Sequence, residues 1–350
     1  MKKMVFPAAV LCVLLGFSCA WADATVESFI QFGGFSGNGA YEGTTVTRIQ
    51  GDKQAETSSI KFTGAVLSWA AGKSETTTIT RIDKGVIWTL DAKKKTYVES
   101  PLAGFDLDEM EGVQGADAGE EIDEGEEPRV KVTRSEFQVK KTGAKQTING
   151  FACEEYLMTW LVELQDLDTK EKTTNTMKTN LWNTPETPAI KKLQAEQKAF
   201  SKAYMKKLGI NISPDEMQQF GMGAFAMASG ASDEELAKGF EKFKKEMAKV
   251  KGYAVRTVVN WSTEGGGPAA PEAGEEPEDS GGFSIPTSKD DLLGGLGSMV
   301  SGAVSKKVAD STKPDADEPF FSSTTEVKAI STDTVPAGVF DIPSGYKRQQ

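Results

Sequence analysis

Residues 77–98 read TTITRIDKGVIWTLDAKKKTYV, and this stretch decides the fold class. It contains three β-branched or aromatic runs, which are Thr77–Ile82, Val86–Leu90 and Thr96–Val98. Turn residues (Asp83-Lys84-Gly85 and Asp91-Ala92-Lys93) separate the runs. Short runs at this regular spacing are typical of consecutive β-strands. Similar runs at 44–49 and 60–62 precede them, so the N-terminal part of the chain predicts an antiparallel meander.

Strand-like runs resume at Val130 and continue to Trp182. They are Val130–Thr133, Phe137–Lys140, Tyr156–Leu164 and Thr176–Trp182. The run from Tyr156 to Leu164 is apolar on both faces, which is typical of a strand that is covered on both sides. The sequence therefore predicts that this strand lies centrally in the sheet, with Thr176–Trp182 as its neighbour.

Residues 184–252 change to helical periodicity and predict three amphipathic helices. The first has Pro185 or Pro188 near its start, Gly209 at its end and an apolar face made of Ile190, Leu193, Phe200, Tyr204 and Leu208. The second begins at Ser213, and the third runs from Ser232 to Gly252, each with capping residues at its start. Each amphipathic helix needs a partner surface, and the sheet is the expected one.

The negative charge is concentrated in two segments that have the composition of solvated loops. The net charge is -11; residues 106–128 carry eleven acids and no base, and residues 264–280 carry six more acids. Like-charged runs rich in Gly, Glu and Pro cannot bury a core and stay disordered.

These features divide the chain into segments around one domain. The division is a signal peptide (1–22), N-terminal strands (23–105), an acidic loop (106–128), strands with a three-helix segment at about 186–251 (129–263), an acidic and Gly-rich linker (264–318), and a C-terminal strand and tail (319–350).

The first residues have the pattern of a secretory leader. Met1-Lys2-Lys3 precedes an apolar run that ends at Phe17, and Ala20-Trp21-Ala22 is a small-x-small cleavage motif. Cleavage after Ala22 predicts a periplasmic or secreted protein. The alternative is a lipoprotein site at Cys19, but Gly16 stands where that motif has a Leu-like residue. No later segment is long and apolar enough to span a bilayer.

The residue types present exclude most catalytic chemistries. The chain contains no histidine, which excludes Ser-His and Cys-His catalysis and histidine-ligated metals. Cys12 and Cys19 lie in the leader, and Cys153 is expected to pack as a small hydrophobe. No phosphate-binding glycine motif follows a strand. The sequence predicts a protein that is not an enzyme and that holds no metal or cofactor.

Methionine and phenylalanine residues concentrate in the helical segment, where they would make an adaptable apolar lining. The predicted lining is Trp160, Trp182, Met217, Phe220, Phe240, Phe243 and Met247. Two functions remain open. The first is binding of a lipid or other hydrophobic ligand in a cavity between sheet and helices, of about 300 Å³ or more. The alternative is a structural, assembly or protein-interaction module of the cell envelope with a solid core. A carboxylate-based hydrolase would need two rigid acids in one cleft, and no nucleic-acid partner is expected.

Three segments resemble a family of exported bacterial proteins known only as a domain of unknown function. They are Lys94–Glu99, Asn149–Tyr156 and Phe340–Lys347. That family is related in fold to the LolA/LolB-like lipoprotein carriers. The resemblance implies an α+β fold, in which a curved antiparallel half-barrel sheet has helices over its concave face. It also implies an apolar cavity, which in those carriers holds acyl chains, but it brings no established site residues.

Overall fold

The computed structural model describes residues 23–35, 40–63, 73–102, 130–209, 241–265 and 319–349. Several predictions fall outside these residues. They are the signal peptide with Cys19, the acidic loop at 106–128, the helix that begins at Ser213, and the linker at 264–318 except for its first two residues.

The described chain contains twelve strands. Strands β1 to β6 are Asp23–Phe35, Tyr41–Gln50, Lys53–Phe62, Lys73–Arg81, Val86–Asp91 and Thr96–Pro101. Strands β7 to β12 are Val130–Ile148, Phe151–Asp166, Lys172–Thr184, Tyr253–Gly265, Phe321–Ser331 and Lys347–Arg348. Helix α1 is Pro188–Lys207, residues 241–247 are helical (α2), and Ala337–Phe340 form a 3-10 turn.

All twelve strands belong to one sheet. Its order is β12-β6-β5-β4-β3-β2-β1-β11-β10-β9-β8-β7. The predicted antiparallel meander is confirmed, because β1 to β6 pair in sequence order with antiparallel registers. Strand β1 joins the two halves by pairing with β11 on its other side. The pairing of β12 with β6 is parallel, so the sheet is mixed.

The predicted LolA-like half-barrel with covering helices is wrong. The described residues form a large twelve-stranded mixed sheet, and their helices are α1 and α2. Eleven strand spacings of about 4.8 Å make the sheet roughly 50 Å wide, whereas a twenty-residue helix is about 30 Å long. Helix α1 accordingly lies mainly against the central strands β1, β2 and β11, and its buried side chains share core clusters with Val255 of β10 and Ile87 of β5. The third predicted helix ends earlier than expected, because residues 248–249 already form a turn.

Strand β8 does not occupy the predicted central position. It pairs with β9, as predicted, but its other neighbour is β7, which is the last strand of the sheet. Most residues from Leu157 to Gln165 are half-buried rather than buried. Its continuous apolar run therefore reflects two partly covered faces near an edge, not a place in the middle of the sheet.

Helix α1 follows its predicted pattern. The Thr187 side chain accepts a hydrogen bond from the Ile190 backbone N–H, and Pro188 occupies the first turn. Both features stabilise a helix start because they satisfy or remove unpaired N–H groups. Gly209 follows the helix with a φ of 76°, which favours glycine. The predicted face is buried, and its members Leu193 and Phe200 pack onto the sheet.

Three clusters of buried side chains make up the core. The first two lie between α1 and the sheet, and the third lies between the meander and the C-terminal residues. They are Ala24, Val26, Ile148, Cys153, Leu193, Val255 and Val327; Ile49, Ile87, Leu102, Phe200, Tyr204 and Leu208; and Ala55, Ile79, Trp88, Leu90, Val335 and Phe340. Ile49 is paired with Gln54, the neighbour of Ala55. Since side chains alternate along a strand, α1 and the C-terminal residues cover opposite faces of the meander.

Cys153 packs as the small hydrophobe that the sequence predicted. Its side chain is 2% exposed within the first cluster, and burial raises the pKa of its thiol. In a Cys12→Ser, Cys19→Ser variant we expect Ellman's reagent to react with Cys153 at least about ten times more slowly in buffer than in guanidinium chloride. Rapid stoichiometric reaction of the folded protein would contradict this burial.

Candidate functional site

A row of large apolar side chains crosses eight neighbouring strands of the sheet, from β3 to β7. One residue comes from each strand. In sheet order they are Phe62, Tyr41, Phe32, Phe321, Trp261, Met177, Trp160 and Phe137. We call this set the aromatic row.

The half of the aromatic row on β3, β2, β1 and β11 is joined by direct ring contacts. The rings of Phe32 and Tyr41 stack with their centroids 5.1 Å apart. Phe321 meets Phe32 edge-on at 5.3 Å, and Phe62 meets Tyr41 edge-on at 6.2 Å. These distances and orientations are the preferred ones for aromatic pairs.

The other half of the row follows from strand register. Trp261 is paired with Phe321 on one side and with Met177 on the other. Met177 is paired with Trp160, which is paired with Phe137. Directly opposed residues share a face of a sheet, so Trp261, Met177, Trp160 and Phe137 continue the row from Phe321. All are half-buried.

The aromatic row lies on the same face of the sheet as helix α1 but at the other end of the strands. Tyr41 and Ile49 are eight positions apart on β2, whose register with both neighbours is unbroken. They therefore face the same way, and Ile49 packs against Phe200 and Tyr204 of α1. Eight positions correspond to about 26 Å along a strand. The helix covers one end of this face, and the row occupies the opposite end.

On β1, β2 and β3, this face changes from polar to apolar between the helix and the aromatic row. Successive levels, each made of register partners, are Val26, Thr47 and Glu56; Ser28, Thr45 and Ser58; Ile30, Gly43 and Ile60; and Phe32, Tyr41 and Phe62. Hydroxyl groups dominate the first two levels, and aliphatic and aromatic groups dominate the last two. We call this surface the graded face.

Gly43 is the position of the graded face that has no side chain. A Cβ atom at this position would lie 2.8 Å from the Ser59 carbonyl oxygen and 3.3 Å from Cγ1 of Ile60. Only glycine fits without displacing backbone atoms, because real Cβ atoms do not approach other atoms so closely. The Ser59 carbonyl and the Ile60 side chain therefore occupy the space that a side chain on β2 would need at this level.

Glu56 is the acidic group of the graded face. Its Oε2 accepts a hydrogen bond of 3.4 Å from the Thr47 hydroxyl, and its cross-strand partners are Thr47 and Thr78. Burial raises the pKa of this carboxyl, and the Thr47 hydrogen bond opposes that effect. Within the described residues it has no salt-bridge partner. It is therefore a half-buried carboxyl among hydroxyl groups.

The residues predicted to line a cavity are only partly brought together. Trp160 belongs to the aromatic row, and Phe243 of α2 packs on Phe137 with ring centroids 4.7 Å apart. Met247 is half-buried at the end of the same helix, α2. Trp182 lies elsewhere, against the first core cluster. Met217, Phe220 and Phe240 lie outside the described residues.

Sequence reasoning missed every member of the aromatic row except Trp160, namely Phe32, Tyr41, Phe62, Phe137, Met177, Trp261 and Phe321. The sequence does show an apolar residue near the end of several predicted strands. These residues can be recognised as one row only when the strand order and register are known, since they come from distant parts of the chain.

The row also contains hydrogen-bond donors. Trp160 donates from Nε1 to the Ser135 hydroxyl at 3.4 Å. The Trp261 Nε1 atom is buried and has no hydrogen-bond partner among the described residues. A buried donor without a partner costs free energy, which a ligand with an acceptor group would recover.

A pocket of about 240 Å³ lies on the opposite face of the sheet. Its lining includes Gln31, Asn260, Ser322 and Thr324. Gln31 is adjacent to Phe32 in β1 and so points away from the aromatic row. The pocket is polar and differs from the apolar sheet-helix cavity that the sequence predicted.

The remaining chemistry of the described residues is sparse. They contain no group of three or more His, Cys, Asp or Glu side chains that could hold a metal ion. No helix in this part of the chain has the length and apolar character needed to cross a membrane. No family model, curated protein or solved structure matches the chain.

Proposed function

We propose that this chain is a non-catalytic protein of the cell envelope that binds a lipid or another hydrophobic ligand along the aromatic row. One observation carries the proposal: eight adjacent strands each place one large, half-buried apolar side chain in a continuous line. The envelope location rests on the leader-like residues 1–22.

The aromatic row is not needed to complete the core. The three core clusters are already filled by other side chains, such as Ile49, Leu193 and Phe340, which are at most 2% exposed. A contiguous apolar surface that stays partly exposed in the folded protein is typical of an interaction site. Each methylene group that a ligand buries there contributes about 0.8 kcal/mol.

The acid content of this face supports a binding role over hydrolysis. Glu56 is the only carboxyl group among the twelve residues of the graded face. Hydrolysis by paired carboxylates requires two such groups held about 5–9 Å apart. A single carboxyl can instead orient a bound ligand.

The row is tested with Nile red, an uncharged dye whose fluorescence rises in apolar surroundings. We expect the Phe32→Gln, Trp261→Gln double variant to bind Nile red at least about tenfold more weakly, because two aromatic contacts are lost. Fluorescence titration gives the dissociation constants, and circular dichroism checks that the variant is folded. Native mass spectrometry of protein purified without detergent is expected to show a lipid-sized ligand.

Val98→Gln is the matched control. Val98 is an exposed apolar side chain, 44% accessible, outside the aromatic row. Its variant is expected to bind Nile red like the wild type. If the double variant also keeps full affinity, or if the wild type binds neither dye nor lipid, the row is not a ligand site. That result would favour a structural or protein-interaction role.

A further inference from the structure

We infer that the ligand is a single-chain amphiphile with a positively charged amine head, which pairs with Glu56 while its tail lies along the graded face toward the aromatic row. This inference rests on the proposed function and specifies the ligand's chemical class.

The surroundings of Glu56 point to a cationic head. An ionised carboxylate offers about four acceptor sites, and its only described hydrogen bond here is the long one from Thr47. A partly buried carboxylate without a cation is unfavourable. An ammonium group carries one positive charge and three N–H donors. It can pair with Glu56 and donate to the hydroxyls of Thr47 and Ser58, which lie at the first two levels of the face.

The order of the levels matches the polarity of an amphiphile. From Glu56 to Phe62 there are six positions on β3, or about 20 Å. One acyl chain covers about 15 Å, since a bilayer core about 30 Å thick is two chains deep. A head at Glu56 therefore puts the tail beside Ser58 and Ile60, with its end near the ring of Phe62.

Gly43 places no β2 side chain in the path of the tail between the two ends. It lies between Ile30 and Ile60, directly between the hydroxyl levels and the aromatic level. The β2 backbone there is as close to Ser59 and Ile60 as a residue without a side chain allows. An alkyl chain that passes over this level contacts the side chains of the two isoleucines.

The test uses competition at neutral pH between Nile red and three amphiphiles with the same tail: dodecylamine, dodecanoate and dodecyl maltoside, each below its micelle concentration. We expect dodecylamine to displace Nile red from the wild type at concentrations about tenfold lower than the other two. Glu56→Gln is expected to abolish this preference and to leave displacement by dodecyl maltoside unchanged. Glu27→Gln is the matched control, because Glu27 is exposed and lies next to Val26, on the other face of β1.

The outcomes separate this inference from the proposed function. If the three competitors are equally effective, or if dodecanoate is preferred, the amine head is wrong and the hydrophobic site stands. The same follows if the preference for dodecylamine persists in Glu56→Gln, because the acidity of the whole chain would then be its cause. If Nile red does not bind to the wild type, the proposed function and this inference both fail.

Discussion

Replacement of Phe340 by alanine is expected to lower the free energy of unfolding by about 4 kcal/mol. Phe340 is completely buried, with 0% exposure, in the third core cluster. It packs with Ala55, Ile79 and Trp88 of the meander. The alanine variant loses the transfer free energy of the ring and leaves a cavity that the rigid sheet cannot close.

The expected loss is large because polar contacts hold the C-terminal residues in place around the ring. Arg81 donates from Nη1 to the Phe340 carbonyl oxygen at 3.0 Å and to Asp341 at 2.7 Å. The Val335 backbone N–H donates to the Asp23 carboxylate at 2.6 Å. These anchors keep the backbone of the turn at Ala337–Phe340 from moving into the cavity.

Denaturation in urea, followed by circular dichroism, measures this effect. Phe340→Leu is the control, since it keeps most of the side-chain volume and is expected to cost only about 1 kcal/mol. A loss below about 1 kcal/mol for the alanine variant would show that the C-terminal residues do not pack on the sheet in solution.

Replacement of Glu326 by glutamine is expected to cost about 3 kcal/mol at neutral pH. The Glu326 side chain is 10% exposed on β11, where Arg256 and Lys328 each approach to 2.6 Å. Asn149 of the β7–β8 turn donates to it at 2.8 Å. Removing its charge leaves two cations without their partner and weakens the link between this turn and β11.

The cost of this variant depends on pH. Burial alone would raise the pKa of Glu326, but the hydrogen bonds from Lys328, Asn149 and Arg256 outweigh burial and lower the pKa from 4.5 to about 2. Because folding lowers this pKa, the Glu326 carboxylate makes its full contribution to the free energy of unfolding at pH values above 4.5. This contribution disappears as the pH falls from 4.5 to about 2. The difference between wild type and variant should shrink over that range.

Urea denaturation at several pH values measures this dependence. Glu264→Gln is the control, because Glu264 is exposed at the end of β10 and its variant should stay within about 0.5 kcal/mol of the wild type throughout. A cost for Glu326→Gln that stays constant with pH would mean that the carboxylate charge is not what stabilises this cluster.

Local features of the fold could be predicted from the sequence. The strands around Ile79 and Trp88 and the face of helix α1 were predicted correctly. Strand propensity and alternation act over a few neighbouring residues, and the cap at Thr187 acts within one helical turn. The burial of Cys153 was also predicted, because its apolar neighbours in the chain already favour it.

The resemblance to an exported family led to a wrong fold class because the matching segments are short. Asn149–Tyr156 forms a turn and the start of β8, and Phe340–Lys347 packs on the meander and ends at β12. Sequence segments this short correspond to local turns and strand ends, which many different sheets share. They do not specify how many strands pair or how much of the sheet the helices cover.

Sequence alone therefore determined the strands of the meander, the helix α1 and the absence of histidine from the chain. The aromatic row, the graded face and the ion-pair cluster at Glu326 were decided only by tertiary structure. Their members come from strands that pair across long separations, as in the pairing of β1 with β11, where Phe32 lies opposite Ser323. A slip of one residue in any register would turn Phe32 or Trp261 to the opposite face. Registers depend on turns, bulges and packing that act through space, and these cannot be inferred from neighbours along the chain.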